Sequence, residues 1–80
     1  MLIAKIKIMP KAGILDPQGT TVMHSLESMG YRGIDDVRIG KYIEIKLDQK
    51  SRTEAEDEVR GMCQKLLANP VIESFDFEIT

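Results

Sequence analysis

The chain has 80 residues and a formal net charge of −2, from 11 basic and 13 acidic side chains. At that length folding hides only about 60% of the surface that the unfolded chain exposes, and with no Trp, two Phe and two Tyr the core has to come from Ile, Leu, Val and Met. Near-balanced charge excludes an electrostatic hold on phosphate backbones or anionic lipid, so neither nucleic acid nor membrane is expected as a partner, while so small a core predicts self-association, as a dimer or tetramer.

Residues 2–9 alternate, with Leu2, Ala4, Ile6 and Ile8 on one side and Ile3, Lys5, Lys7 and Met9 on the other, the period of a half-buried strand that Pro10 ends. The stretch GILDPQGTTV, residues 13–22, opens a helix. Asp16 is placed to cap its orphan amides, and Pro17 takes the first position, where a missing N–H costs nothing. Gly19 is the anomaly, since glycine inside a helix costs roughly 1 kcal/mol against alanine. Val22, Leu26 and Met29, with Met23 alongside, then give one apolar stripe that stops at Gly30.

Residues 35–48 read as two strands, Val37/Ile39 and Ile43/Ile45/Leu47, joined near Gly40 and Lys41. A two-residue turn there sets Ile39 against Tyr42 and Val37 against Glu44, apolar on polar, so the register requires an odd-length loop or a bulge. Thr53 with Glu56 reads as a capping box for a second helix, whose Ala55, Val59, Met62, Cys63 and Leu66 share a face while Gly61 falls outside it. Asn69-Pro70 closes that helix. Val71 to Ile79 is a last strand, with Phe75, Phe77 and Ile79 on one side and Ser74, Asp76 and Glu78 on the other.

The order β-α-β-β-α-β predicts an α+β fold: a two-layer sandwich with an antiparallel sheet and both helices on one face, the ferredoxin-like order. The last strand then runs antiparallel to the first, and Lys5 and Lys7 lie across from Asp76 and Glu78, pairs worth about 0.2–1 kcal/mol each. A last strand exchanged between subunits would meet the same pairs.

Chemistry is sparse. His24, the only histidine, projects away from the apolar stripe of its helix. Cys63 belongs to a buried stripe, without the electropositive, accessible surroundings that make a thiol nucleophilic. No ligand spacing for a metal and no phosphate loop is present, and Asp35, Asp36, Glu54, Glu56, Asp57 and Glu58 sit where capping and helix dipoles account for them. The first residues lack the apolar run and cleavage site of a signal peptide and no stretch is long enough to span a bilayer, so a cytoplasmic protein is expected. What remains unexplained is polar and lies in loops: Lys11, Gln18, Gly19, Arg32, Arg38, Lys41 and Asn69.

Three of these loop segments, PKAGILDPQGTTV, VRIGKYIEIKL and MCQKLLANPVIESF, together resemble the PurS family, the small subunit of phosphoribosylformylglycinamidine synthase, over essentially the whole chain. The match runs through Leu15-Asp16-Pro17-Gln18-Gly19, Val37-Arg38, Gly40-Lys41, Ile43-Glu44-Ile45 and Leu66-Leu67-Ala68-Asn69-Pro70. The resemblance implies a single PurS-like domain over residues 1–80 that is a subunit of an ATP-dependent glutamine amidotransferase complex of de novo purine biosynthesis. A glutaminase subunit there releases ammonia, and a large synthetase subunit uses ATP and magnesium to convert formylglycinamide ribonucleotide to its amidine. The small subunit is then an adaptor between the two, with no catalytic residue, cofactor or metal of its own. Its expected contact residues are Lys11, Asp16, Gln18, Gly19, Arg38, Gly40, Lys41, Asn69 and Pro70. Gln18 and Gly19 are expected to form a close-approach surface, so that a bulky residue at Gly19 weakens assembly and leaves the isolated chain folded. Two other readings share this element order. An ACT-like regulatory module would be stabilised by a small ligand, and an acylphosphatase-like enzyme would use Arg38 and Asn69 around a phosphate. An RNA-binding module is excluded by the lack of an aromatic pair on the central strands.

Overall fold

The computed structural model describes residues 1–48 and 51–80. Its elements are β1 (Leu2–Pro10), α1 (Pro17–Ser28), β2 (Lys41–Leu47), α2 (Arg52–Met62), a π-helical turn (Cys63–Leu67) and β3 (Glu73–Ile79). The strands form one antiparallel sheet in the order β2-β1-β3, giving an α+β fold with helix layered on sheet.

β1 takes the centre because its alternation serves both layers. Ala4, Ile6 and Ile8 are wholly buried, facing Ile45, Ile43 and Lys41 on one side and Ile79, Phe77 and Phe75 on the other. Ala55 and Val59 of α2 close over this face, followed by Cys63 and Ala68. Each large aliphatic side chain so covered contributes about 1.5–3 kcal/mol. On the opposite face Lys5 lies between Glu44 and Glu78, and Lys7 between Tyr42 and Asp76, the charge alignment anticipated from the sequence and here formed within one chain.

Several expectations need correction. No strand forms at Val37/Ile39: residues 31–40 have no regular structure and β2 begins at Lys41, so there is neither a hairpin nor an odd-length loop or bulge. The amide of Ile39 instead donates to the Asp16 carboxylate at 2.7 Å, which satisfies the backbone without a ladder partner. The cap of α2 is Ser51, whose hydroxyl accepts from the Glu54 amide at 3.3 Å, and Thr53 is already inside the first turn. Ser51 is the residue with extended backbone, φ −99° and ψ 120°, that a cap requires.

Leu66 is 82% exposed rather than part of the buried stripe. The turn carrying it is π-helical, closed by a bond from the Ala68 amide to the Cys63 carbonyl at 3.0 Å. With five residues between bonded groups, each residue turns through a smaller angle than in an α-helix, so Ala68 rather than Leu66 returns to the face of Cys63. The last strand starts at Glu73, two residues after Val71, because Asn69 gathers the amides of Val71, Ile72 and Glu73 into a turn.

α1 begins and ends as its sequence dictates, with the Asp16 cap, Pro17 in the first turn and Gly30 at φ +99° just beyond. Its apolar stripe, however, is not laid on the sheet. Only Gly19 is buried, while Val22 is 38% and Met29 71% exposed. The molecule is correspondingly elongated, 50 × 25 × 15 Å.

Candidate functional site

Antiparallel pairing puts the end of β1 beside the starts of both neighbours, Ile8 opposite Lys41 and Pro10 opposite Glu73. The segments after β1, before β2 and before β3 therefore meet at one end of the sheet, and they carry the residues singled out from the sequence.

Asp16 holds two of these segments together. Its Oδ1 accepts from the Gly19 amide at 2.9 Å and its Oδ2 from the Ile39 amide at 2.7 Å. These bonds, with the Arg38 charge nearby, lower the carboxyl below its ordinary value of 3.8. Gly19 is chosen by contact: a Cβ there would lie 2.0 Å from the Val37 carbonyl oxygen. The close approach expected at Gly19 is thus real, but the neighbouring backbone is its own chain's, so a bulky residue would strain the isolated protein instead of leaving it undisturbed. Gly40 is constrained in the same way, its missing Cβ standing 2.4 Å from the Ile8 carbonyl oxygen.

The other polar residues also bond to groups of the neighbouring segments. Arg38 donates from Nη2 to the carbonyls of Pro10 at 2.9 Å and Lys11 at 2.8 Å, while its Nε is buried without an acceptor. Lys11 reaches the third segment, its amide donating to the Ile72 carbonyl at 2.8 Å and its Nζ to the Pro70 carbonyl at 2.7 Å. Lys41 pairs with Glu73 at 3.7 Å, and the other Glu73 oxygen accepts from the Asn69 amide at 2.8 Å. Gln18 and Pro70 are exposed.

Beside these polar groups the loops also show apolar side chains to solvent. Leu15 is 81%, Leu66 82% and Val71 76% exposed, and a shallow groove of about 390 Å³ runs past Ile14, Leu15, Asp16, Val37 and Arg38. These apolar residues were missed from the sequence. A signal existed in Leu15, which precedes the helix cap and so belongs to no stripe, whereas Val71 gave none, since it reads as the first residue of the last strand.

Elsewhere the chemistry is quiet. Cys63 is fully buried, which pushes its thiol above the usual value despite the opposing Arg60 charge, and His24 is exposed on α1. Among the described residues, no three His, Cys, Asp or Glu side chains are grouped to hold a metal, and no helix is long and apolar enough to cross a membrane.

Residues 3–80 match the family model described as PurS, phosphoribosylformylglycinamidine (FGAM) synthase. The chain belongs to this family. It is 45% identical over 75 residues to the PurS subunit of phosphoribosylformylglycinamidine synthase from Bacillus subtilis, covering 94% of this chain and 88% of that one. The Synechocystis subunit is 45% identical over 76 residues, covering 95% and 76%. The fold agrees as well: the B. subtilis PurS structure superposes with a TM-score of 0.88 over 100% of this chain and 99% of its own. The Methanocaldococcus jannaschii structure, 34% identical and described as one of the subunits of formylglycinamide ribonucleotide amidotransferase in the purine biosynthetic pathway, also gives 0.88, covering 100% and 96%. The three segments that carry the resemblance thus meet at the loop end, with Asp16 and Gly19 in the first, Arg38, Gly40 and Lys41 in the second and Asn69 in the third.

Proposed function

We propose that this PurS chain is the small subunit of phosphoribosylformylglycinamidine synthase and acts there as an adaptor between the glutaminase and synthetase subunits, using the loop end of its sheet as a docking surface. The reaction takes ATP, formylglycinamide ribonucleotide, glutamine and water to the amidine, glutamate, ADP and phosphate. ATP and magnesium are used on the synthetase subunit, in the cytoplasm. Membership of the family and the M. jannaschii subunit's assignment to the amidotransferase support the complex. The regulatory-module alternative is not favoured, because the family model and the relatives are all of this one kind.

The observation that carries the docking role is the pairing of a polar network that ties the loop segments to one another with Leu15, Leu66 and Val71 facing out. Free ammonia in neutral water is mostly protonated and loses its lone pair, so two active sites that exchange it must be held in register and shielded. A surface serves that purpose when its loops are fixed beforehand and its contacts are apolar. Lys11, Asp16, Gly19, Arg38, Gly40, Lys41 and Asn69 act by positioning, whereas Gln18 and Pro70 stand on the exposed rim. Self-association belongs to the same reading, since α1 leaves its own apolar stripe uncovered.

The test is reconstitution. With all three subunits present, glutamine and added ammonium salt should both support turnover; omitting this chain should abolish only the glutamine-dependent rate. Leu15→Glu combined with Val71→Glu should keep the isolated chain's stability within about 0.5 kcal/mol and lower co-elution with the two large subunits. Unchanged glutamine-dependent activity without this chain would refute the adaptor role.

A further inference from the structure

β3 lies at the edge of the sheet, bonded to β1 on one side only. Ile3 and Thr80 exchange both backbone bonds at 3.0 Å, so by antiparallel alternation Glu78 and Asp76 also turn their backbone to β1, opposite Lys5 and Lys7. The amides and carbonyls of Phe75, Phe77 and Ile79 therefore point outward. The Ile79 carbonyl accepts from the Arg52 guanidinium, and the Phe75 and Phe77 groups stand open along the edge.

An open edge is a hazard that proteins blunt with a proline, a bulge or a covering segment. β3 contains no proline, and its pairing with β1 runs without a bulge from Glu73 to Ile79. Its charges, Glu73, Asp76 and Glu78, are all acidic. They oppose a second β3 laid against the first, but they leave the edge regular and open to a strand of different composition.

The side chains specify that composition. Across the open face the charge alternates from strand to strand, Glu44, Lys5 and Glu78 forming one row and Lys7 with Asp76 the next. A fourth strand continues the alternation when it sets cations opposite Glu78 and Asp76, both of which are exposed. On the helix-covered face the edge is aromatic, with Phe75 and Phe77 half-buried and their rings stacked at 6.4 Å. The Arg60 guanidinium lies 5.3 Å from the centre of the Phe77 ring, which disfavours further cations on that side and favours apolar side chains. The edge also begins just past the exposed Val71, so it continues the loop end.

We propose that the β3 edge takes up an extended segment of one of the two large subunits as a fourth strand, with basic residues on the open face and apolar residues beside Phe75 and Phe77. This gives the mode of docking within the proposed adaptor role and rests on that role. Backbone bonds at Phe75 and Phe77 supply affinity, and Asp76 and Glu78 select the sequence.

The test reads the edge amides directly. Hydrogen exchange over residues 73–80 is followed by mass spectrometry on the full chain, alone and with each large subunit. The amides of Phe75, Phe77 and Ile79 should exchange freely in the chain alone and slow at least about tenfold in one of the complexes. Cys63, the single cysteine, also lets the chain be assembled by ligating residues 1–62 to a synthetic 63–80 peptide in which the Phe77 amide is N-methylated. That change removes one outward donor and spares the β1 ladder; the product should fold by circular dichroism and bind at least about tenfold more weakly. Asp76→Asn with Glu78→Gln should weaken binding and flatten its fall with rising salt. Unchanged exchange in both complexes, or undiminished binding by either folded variant, overturns the proposal. Slow exchange in the chain alone that is lost on dilution gives the edge to a second copy and overturns it as well. An N-methylated chain that binds and sustains glutamine-dependent turnover like the original refutes strand addition alone, whereas an unmodified chain that binds neither large subunit refutes the adaptor role and this proposal with it.

Discussion

Replacing Gly19 by alanine is the sharpest test of how the loop end is built. The added Cβ would stand 2.0 Å from the Val37 carbonyl oxygen, 2.9 Å from its carbon and 2.8 Å from Asp16 Oδ2. An ordinary carbon to oxygen contact is about 3.3 Å, so residue 37 has to retreat by more than 1 Å. A retreat of that size breaks the 2.7 Å bond from the Ile39 amide to Asp16. Overpacking costs about 1–3 kcal/mol and the lost bond about 1 kcal/mol, against at most about 1 kcal/mol gained in helix propensity. The net is a loss of about 2 kcal/mol, or roughly 8–16 °C in Tm for a chain of this size. Gly61→Ala is the internal control: nothing lies within 4 Å of its Cβ in α2, so the same change should stabilise by up to about 1 kcal/mol. Urea unfolding of both variants at one fixed protein concentration decides the matter. A Gly19→Ala protein as stable as the original would refute the close-approach argument.

Asp16 makes stability depend on acid. Because the native carboxyl is lowered below 3.8, first by the Gly19 amide and then by that of Ile39, its contribution is fully present above that value and disappears as pH falls through the native one. Asp16→Asn should therefore be less stable at neutral pH and show a flatter acid limb in denaturation midpoints taken from pH 6 to pH 2. Arg38→Met removes the donor that joins Pro10 and Lys11 to the segment before β2 and should cost about 1–3 kcal/mol in urea unfolding. Cys63, buried and with its thiol pushed up, should resist a disulfide reagent at pH 8 at least a hundredfold better in the native protein than in denaturant; fast native labelling would contradict its place in the core.

The parts of the fold governed by local periodicity were legible in the sequence. Alternation from Leu2 to Ile8 and from Phe75 to Ile79 identified the strands and their buried sides, and it aligned Lys5 and Lys7 with Glu78 and Asp76. Elements decided by distant partners were not legible. Val37 and Ile39 alternate like a strand, but the amide of Ile39 is claimed by a carboxylate 23 residues earlier. Leu66 obeys a 3.6-residue period that the π-turn abandons. The stripe on α1 was read correctly as apolar, yet amphipathicity says only that a face favours burial, not that its own sheet supplies the cover. At the candidate site the polar residues drew notice because each departs from its local pattern, and the apolar ones escaped it because an exposed Leu or Val is commonplace.

Because the polar network bonds the loop segments to one another, it bears on recognition. Loops without regular structure are costly to immobilise on binding, since each backbone residue fixed at that moment loses about 1–2 kcal/mol of conformational entropy. Asp16, Arg38 and Lys11 tie residues 10–11, 16, 39 and 70 to one another in the free chain, so that cost is met during folding. Leu15 and Val71 then stand on backbone already fixed by its neighbours, and their apolar area goes to contact rather than to ordering. A carboxylate or guanidinium held in this network can therefore govern partner affinity without touching the partner, through the placement of the side chains that do.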